Sequence, residues 1–182
     1  MRHSLVLPPY SKVRDYDGKG NYAIRKYYRL PYSFFYRHKL RMILKELDSK
    51  RIYRNLLDFG SGPAEIFRES LERHAITVKC VDTLSYIDPR WKFDVVVCAS
   101  VLEFVDLDFT VPLLKSIIAP NGMLIGASPM KTRLSKLYFS LIKDSSKRNS
   151  HEAIINSISK HFFLVGQKEW FGLYFSFKAY PK

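Results

Sequence analysis

The chain has 182 residues, about the size of one domain, and 47% of them are hydrophobic, enough to bury a core. It holds no uncharged apolar run of about 18 residues, which argues against a membrane-spanning helix, and the apolar stretch at residues 5–7 stops at Pro8-Pro9, too short for a signal peptide. The net charge of +13 is unevenly placed: residues 1–55 carry fourteen Lys and Arg against four acids, and residues 129–150 carry six against one.

Taken in chain order, residues 1–20 contain Pro8-Pro9, Asp17-Gly18 and Gly20 and read as a loop or arm. Residues 21–49 read as two helices split at Pro31. In the second, Phe35, Leu40, Ile43, Leu44 and Leu47 recur at helical spacing, with Arg37, Lys39, Arg41 and Lys45 assigned to other faces. A short buried strand at 55–59 ends at Gly60-Ser61-Gly62-Pro63, and a helix follows over 65–74. Further strands are expected at 76–81 and 93–99, a helix within 109–118, and a strand at 123–127 after the turn Pro120-Asn121-Gly122. Residues 131–143 read as a helix, and Ser150 caps another over 151–160. Two last strands, 163–170 and 173–179, hinge at Phe171-Gly172. Strands alternating with helices imply an open, mostly parallel α/β sheet, to which a final hairpin adds an antiparallel edge.

The chemistry in this pattern lies at the glycine-rich turn. Gly60 and Gly62 let the backbone turn tightly and a ligand lie against it, and the next helix start presents free N–H groups. Asp82, at the tip of the following strand, is 24 residues after Asp58, near the separation of about 20 that places an acid on ribose hydroxyls. Glu65 stands where a dinucleotide-binding turn has its third glycine, and its charge repels a pyrophosphate. Cys80 and Cys98 lie in apolar runs without metal-ligand spacing; they read as buried free thiols in a reducing cytoplasm, and no metal site is expected.

At these residues the chain resembles the class I S-adenosylmethionine-dependent methyltransferases. The segment LLDFGSGPAEI is similar to their first motif, FDVVVCASVLEFVD to the strand and loop facing the methyl donor, and IIAPNGMLIGASP to a later helix-to-strand connection. The resemblance covers residues 50–180. It implies a Rossmann-like, doubly wound fold over 50–182, within one domain that also includes a basic aromatic arm and lid helices at 1–49. Only ten residues, 83–92, separate Asp82 from Phe93, too few for the crossover helix and strand the family places there, so a compact variant with a shortened sheet is expected. Tyr86, Ile87 or Trp91 would then cover the adenine pocket.

The resemblance further implies S-adenosylmethionine as cofactor, bound by Asp58, Gly60, Ser61, Gly62 and Asp82, with Ser100, Val101 and Leu102 lining the methionine and methyl end. Asp58 orders the glycine loop through its amides or meets the methionine amine. His151 and Glu103 are weak candidates for a catalytic base; a surface cap and a structural acid are the plainer readings. The implied activity is methyl transfer to an O, N or C nucleophile on a small-molecule or lipid-like acceptor. The alternatives are a degenerate fold acting as a binding module and an RNA-binding domain using the basic arm. In residues 22–41 aromatic and basic residues alternate. Such a stretch serves as a lid, as contact with an anionic membrane surface, or as a nucleic-acid platform, in that order of preference. The expected location is cytoplasmic, with a peripheral membrane position as the variant. Nucleic acid is the least favoured partner. After the third strand stands Ala99-Ser100-Val101-Leu102 rather than the Asn-Pro-Pro-Tyr of base methyltransferases, and no cysteine takes the position of a pyrimidine nucleophile.

Overall fold

The computed structural model describes residues 4–7, 28, 30, 32–62, 65–83, 87–88, 90–141 and 149–182. The first of the two expected N-terminal helices, with Arg25, Lys26 and Arg29, lies outside them apart from Tyr28 and Leu30. The second is α1 (Tyr32–Glu46), which begins directly after Pro31. There follow β1 (Tyr53–Phe59), α2 (Arg68–Leu71), β2 (Ala75–Val81), β3 (Phe93–Ala99), α3 (Leu107–Ile117), β4 (Ile118–Pro129), α4 (Arg133–Leu141), α5 (His151–His161), β5 (Phe162–Trp170) and β6 (Tyr174–Pro181).

The strands form one six-stranded sheet in the order β2-β1-β3-β4-β6-β5. The first four are parallel, and β6 runs antiparallel to both β4 and β5. Side chains alternate across it. Leu56, Val95, Val97 and Ile125 point to one face, where they bury Leu40, Ile43, Leu44 and Leu47 of α1 and Leu71 of α2. Leu57, Phe59, Val96 and Cys98 point to the other, against Val111 and Leu114 of α3 and Ile154 and Ile158 of α5. Burial on both faces explains the nearly continuous apolar runs of β1 and β3. The N-terminal residues 4–7 are pinned to the first face: Val6 donates from its N–H to Ser70 Oγ at 2.8 Å, and that hydroxyl donates back to the Val6 carbonyl at 2.6 Å.

Three local differences from the sequence reading have physical causes. The helix expected over 65–74 contracts to α2, and Glu65, at φ +43, stays out of it. Pro120-Asn121-Gly122 does not separate α3 from the next strand. It lies inside the start of β4, where the register against β3 slips between Phe93 and Val95 and absorbs the extra residues. Cys80 is only half-buried, since β2 is the sheet's edge strand; Cys98 is buried in the core, and both thiols are free. Among the described residues of 83–92 there is neither helix nor strand, so the sheet ends at β2.

The β5–β6 hairpin closes with Leu173 N–H donating to the Trp170 carbonyl at 2.9 Å. The two central residues, Phe171 and Gly172, have φ +47 and +62. Turns with two positive φ values favour Asn-Gly, and a left-handed L-residue costs roughly 1–2 kcal/mol. Phe171→Asn is therefore expected to stabilise the fold by about 1 kcal/mol in urea unfolding. A loss of stability would show that the 5.2 Å ring contact of Phe171 with Trp170 outweighs the strain.

Candidate functional site

The chain leaves β1 toward β2 on one side and places β3 on the other, so strand order reverses at β1. In open α/β sheets a crevice forms at that point, beyond the carboxyl ends of the strands. The glycine turn lies there. Gly60 has φ +78 and Gly62 φ +70, a region that favours glycine. A Cβ on Gly60 would come within 2.5 Å of Val101 Cβ, so the loop after β3 packs directly onto the turn. A Cβ on Gly62 would meet nothing within 4 Å, so this residue faces open space. Pro63 and Ala64 lie outside the described residues.

Of the two acids near the turn, Asp82 and not Asp58 holds the loop. Asp82 accepts the Gly62 N–H on Oδ1 at 2.7 Å, and so it orders the loop. Its side chain is otherwise exposed. Of the two roles expected for Asp58, loop amides or the methionine amine, the first is not seen. Both of its carboxylate oxygens are buried without a hydrogen-bond partner. Burial, with added repulsion from Asp82 and Glu65, raises its pKa from the ordinary 3.8 to about 7, and Lys39 opposes the rise. An unpaired buried carboxylate is costly, and it marks a place where a cationic group would be welcomed.

Lys39, assigned to a face away from the apolar stripe, lies on the buried side of its helix. It is 1% exposed, and its Nζ donates to Ser100 Oγ at 2.7 Å. The ammonium also lies 5.1 Å from the ring centre of Tyr36 and 5.9 Å from that of Tyr174. The signal was present in the sequence: Lys39 is three residues after Tyr36 and four before Ile43, both on the buried stripe. Ser100 receives it from a left-handed backbone, φ +63, at the carboxyl end of β3. α1 thus roofs the crevice with a cation.

The remaining expected site residues divide into two groups. Ser61 lies in the turn, where its hydroxyl reaches only the Gly62 carbonyl, at 3.4 Å. Val101 supports the turn from below. Leu102 is fully buried in the core and does not line an opening; its carbonyl accepts from Asn149 Nδ2 at 2.9 Å. Glu103, 2% exposed, accepts from Ser128 Oγ at 2.9 Å and ties β4 to the loop after β3. His151 opens α5, with Nε2 3.2 Å from Glu152 and its ring 5.9 Å from Phe175. Its Nδ1 is buried without a hydrogen-bond partner. Of the residues expected to cover an adenine pocket, Ile87 joins the core and Tyr86 lies outside the described residues. Trp91 stands elsewhere. Lys79 Nζ lies 3.2 Å from its ring centre, and together they line a cavity of about 550 Å³ along the open edge of β2. Burial pushes both cysteine thiols up, which disfavours the reactive thiolate form.

No protein-family model and no curated protein sequence matches the chain. Solved structures do. The N-methyltransferase NodS from Bradyrhizobium japonicum superposes with a TM-score of 0.62 at 15% identity, covering 81% of this chain and 97% of that one. The same protein in complex with S-adenosyl-L-homocysteine gives a TM-score of 0.57 at 15% identity, covering 82% and 87%. A methyltransferase from Thermotoga maritima, described as a possible histamine N-methyltransferase, gives 0.58 at 16% identity, covering 82% and 90%. With its parallel sheet, its glycine turn at the reversal of strand order and its antiparallel final hairpin, the chain has the fold of the class I S-adenosylmethionine-dependent methyltransferases, in a six-stranded form.

Proposed function

We propose that the chain binds S-adenosylmethionine at the glycine turn and transfers its methyl group to a small-molecule or lipid-like acceptor. The observation that carries this reading is the buried, unpaired Asp58 carboxylate at the end of β1, two residues before the glycine turn whose Gly62 faces open space. The cofactor is cationic at sulfur and at its α-amine and has no phosphate, so Asp58 and Glu65 favour it where they would repel a dinucleotide. Asp82 keeps one oxygen for a ribose hydroxyl while the other holds the turn. Lys39 and Ser100 supply the charge and the hydroxyl that the α-carboxylate requires. When bound, the cofactor supplies an electrophilic methyl.

The chain's own task is alignment. α1 roofs the crevice with Tyr36 and Lys39, and β6 contributes the buried Tyr174. These groups exclude water and orient whatever enters, an effect that is worth about 7–11 kcal/mol in well-aligned reactions. Glu103 acts through Ser128 as a support and not as a base. His151 is the remaining titratable candidate for taking a proton from an acceptor.

Calorimetry with S-adenosylmethionine and S-adenosylhomocysteine tests the reading. Micromolar binding of both is expected, and absence of binding would overturn it. Lys39→Met adds a sharper comparison. It should weaken S-adenosylhomocysteine by about tenfold, the scale of one charge-assisted hydrogen bond. It should leave 5′-methylthioadenosine, which lacks the amino-acid portion, unchanged. Equal losses for both would place Lys39 away from the carboxylate.

A further inference from the structure

The aromatic tip of the final hairpin is exposed and joined to two basic helices. Trp170 stacks on His38 of α1 at 4.0 Å and lies 5.8 Å from Phe34. Phe171, next along, is held 76% exposed in its left-handed conformation. The other side of the tip meets the start of α4, where Thr132 Oγ1 donates to the Gly172 carbonyl at 2.6 Å. Thr132 and Ser135 exchange hydrogen bonds at that helix start, and Ser135 is buried beneath it. The opposite side of α4 therefore turns outward, with Leu134 49% and Leu137 59% exposed. Phe34, Phe171, Leu134 and Leu137 are carried by these contacting elements, and all four are exposed.

The charge around these side chains is predominantly positive. Lys131, Arg133 and Lys136 are exposed on or beside α4, and Arg41 is exposed on α1. Residues 129–141 contain no acid, and α1 has none before Glu46; Glu169, beside Trp170, and Glu152, which interacts with Lys131, are exposed acids near this face. We infer that this face docks on an anionic lipid bilayer, its apolar side chains entering the headgroup boundary and its cations meeting lipid phosphates. Aromatic and aliphatic side chains within a Lys/Arg rim are the composition of interfacial membrane contacts. A second copy would bring like charge against like charge. Single-stranded nucleic acid would leave Leu134 and Leu137 without a role, since neither has a ring on which a base can stack. The strained Phe171 fits the same purpose: an asparagine would suit the turn better, yet an apolar ring stands there in solvent.

The test is sedimentation of the full chain with vesicles of phosphatidylcholine, alone or doped with phosphatidylserine. No cofactor is present, so the result is independent of the methyl-transfer reading. Binding is expected only to the doped vesicles, and it should fade as salt rises over a Debye length of about 10 Å at 0.1 M. Leu134→Ser with Leu137→Ser, and separately Phe171→Asn, should each lower the partition coefficient by about tenfold without lowering the thermal midpoint. Unchanged partitioning of both variants would overturn the proposal. So would preference for an RNA oligomer over doped vesicles at equal salt, or a dimer in vesicle-free solution that the leucine variant dissolves.

Discussion

Replacing Gly60 with valine is expected to abolish measurable cofactor binding and to destabilise the fold by several kcal/mol. The left-handed backbone at φ +78 costs an L-residue roughly 1–2 kcal/mol. The new Cβ must also displace Val101, whose Cβ would be 2.5 Å away, an overpacking that adds about 1–3 kcal/mol. From sequence alone this substitution would be expected to spare the fold, because the packing of the loop after β3 onto the turn is a tertiary contact. Gly62→Ala separates the two effects. Its Cβ meets nothing within 4 Å, so only the backbone strain at φ +70 remains. A folded Gly62→Ala protein with at least tenfold weaker S-adenosylhomocysteine binding is the expected result. Calorimetry together with urea unfolding reads both quantities, and unchanged affinity in both variants would remove the turn from the site.

Asp58→Asn should act in opposite directions on stability and on binding. The folded protein holds the Asp58 proton up to about pH 7, whereas the unfolded chain releases it near 3.8. The protonated group contributes its stability in full below pH 3.8, and that stability is lost as pH rises through about 7. At 1.36 kcal/mol for each pH unit of separation, the loss is about 4 kcal/mol at most. Urea unfolding at pH 4 should therefore find the wild type and Asp58→Asn alike, and at pH 8 the variant should be the more stable. A cationic ligand reverses the preference, because it favours the carboxylate. Wild-type affinity for S-adenosylmethionine should rise with pH up to about 7 and binding should release a proton, seen as a heat that depends on the buffer's ionisation enthalpy. Asp58→Asn should lose both the pH dependence and at least tenfold in affinity. A wild-type affinity that does not change between pH 5.5 and 8 would show that Asp58 does not meet the cation.

Most of the sheet was legible in the sequence because it is buried on both faces. The run 93–99 of β3 matches its observed bounds, and Ser150 accepts the Ala153 N–H as the cap of α5. The ten residues before Phe93 foretold the shortened sheet. What sequence could not give was the pairing of groups across elements. Asp58 and Asp82 are both strand-tip acids near a glycine turn, and only the parallel register of β1 with β2 brings Asp82 onto the Gly62 amide. Lys39 looked like one more cation in a basic helix; its spacing from Tyr36 and Ile43 marks the buried stripe, but its partner Ser100 is supplied only by the packing of α1 against β3, β4 and β6. Leu102 looked like a lining residue because it follows the donor-facing strand, yet the left-handed Ser100 turns the chain so that Leu102 enters the core.

The sheet that stops at β2 has a consequence for the behaviour of the chain in concentrated solution. An edge strand carries a row of backbone donors and acceptors that a second strand can pair with, the route to edge-to-edge aggregation. Ile76, 76% exposed on that strand, would make such pairing stickier. Two features oppose it. Lys79 projects from the same strand and holds its ammonium over Trp91, so an incoming strand must displace or desolvate a cation. The net charge of +13 also sets any two copies against each other before their edges meet. Where no described strand covers β2, electrostatic repulsion guards the edge, and colloidal stability should be most vulnerable where salt or a polyanion neutralises that charge.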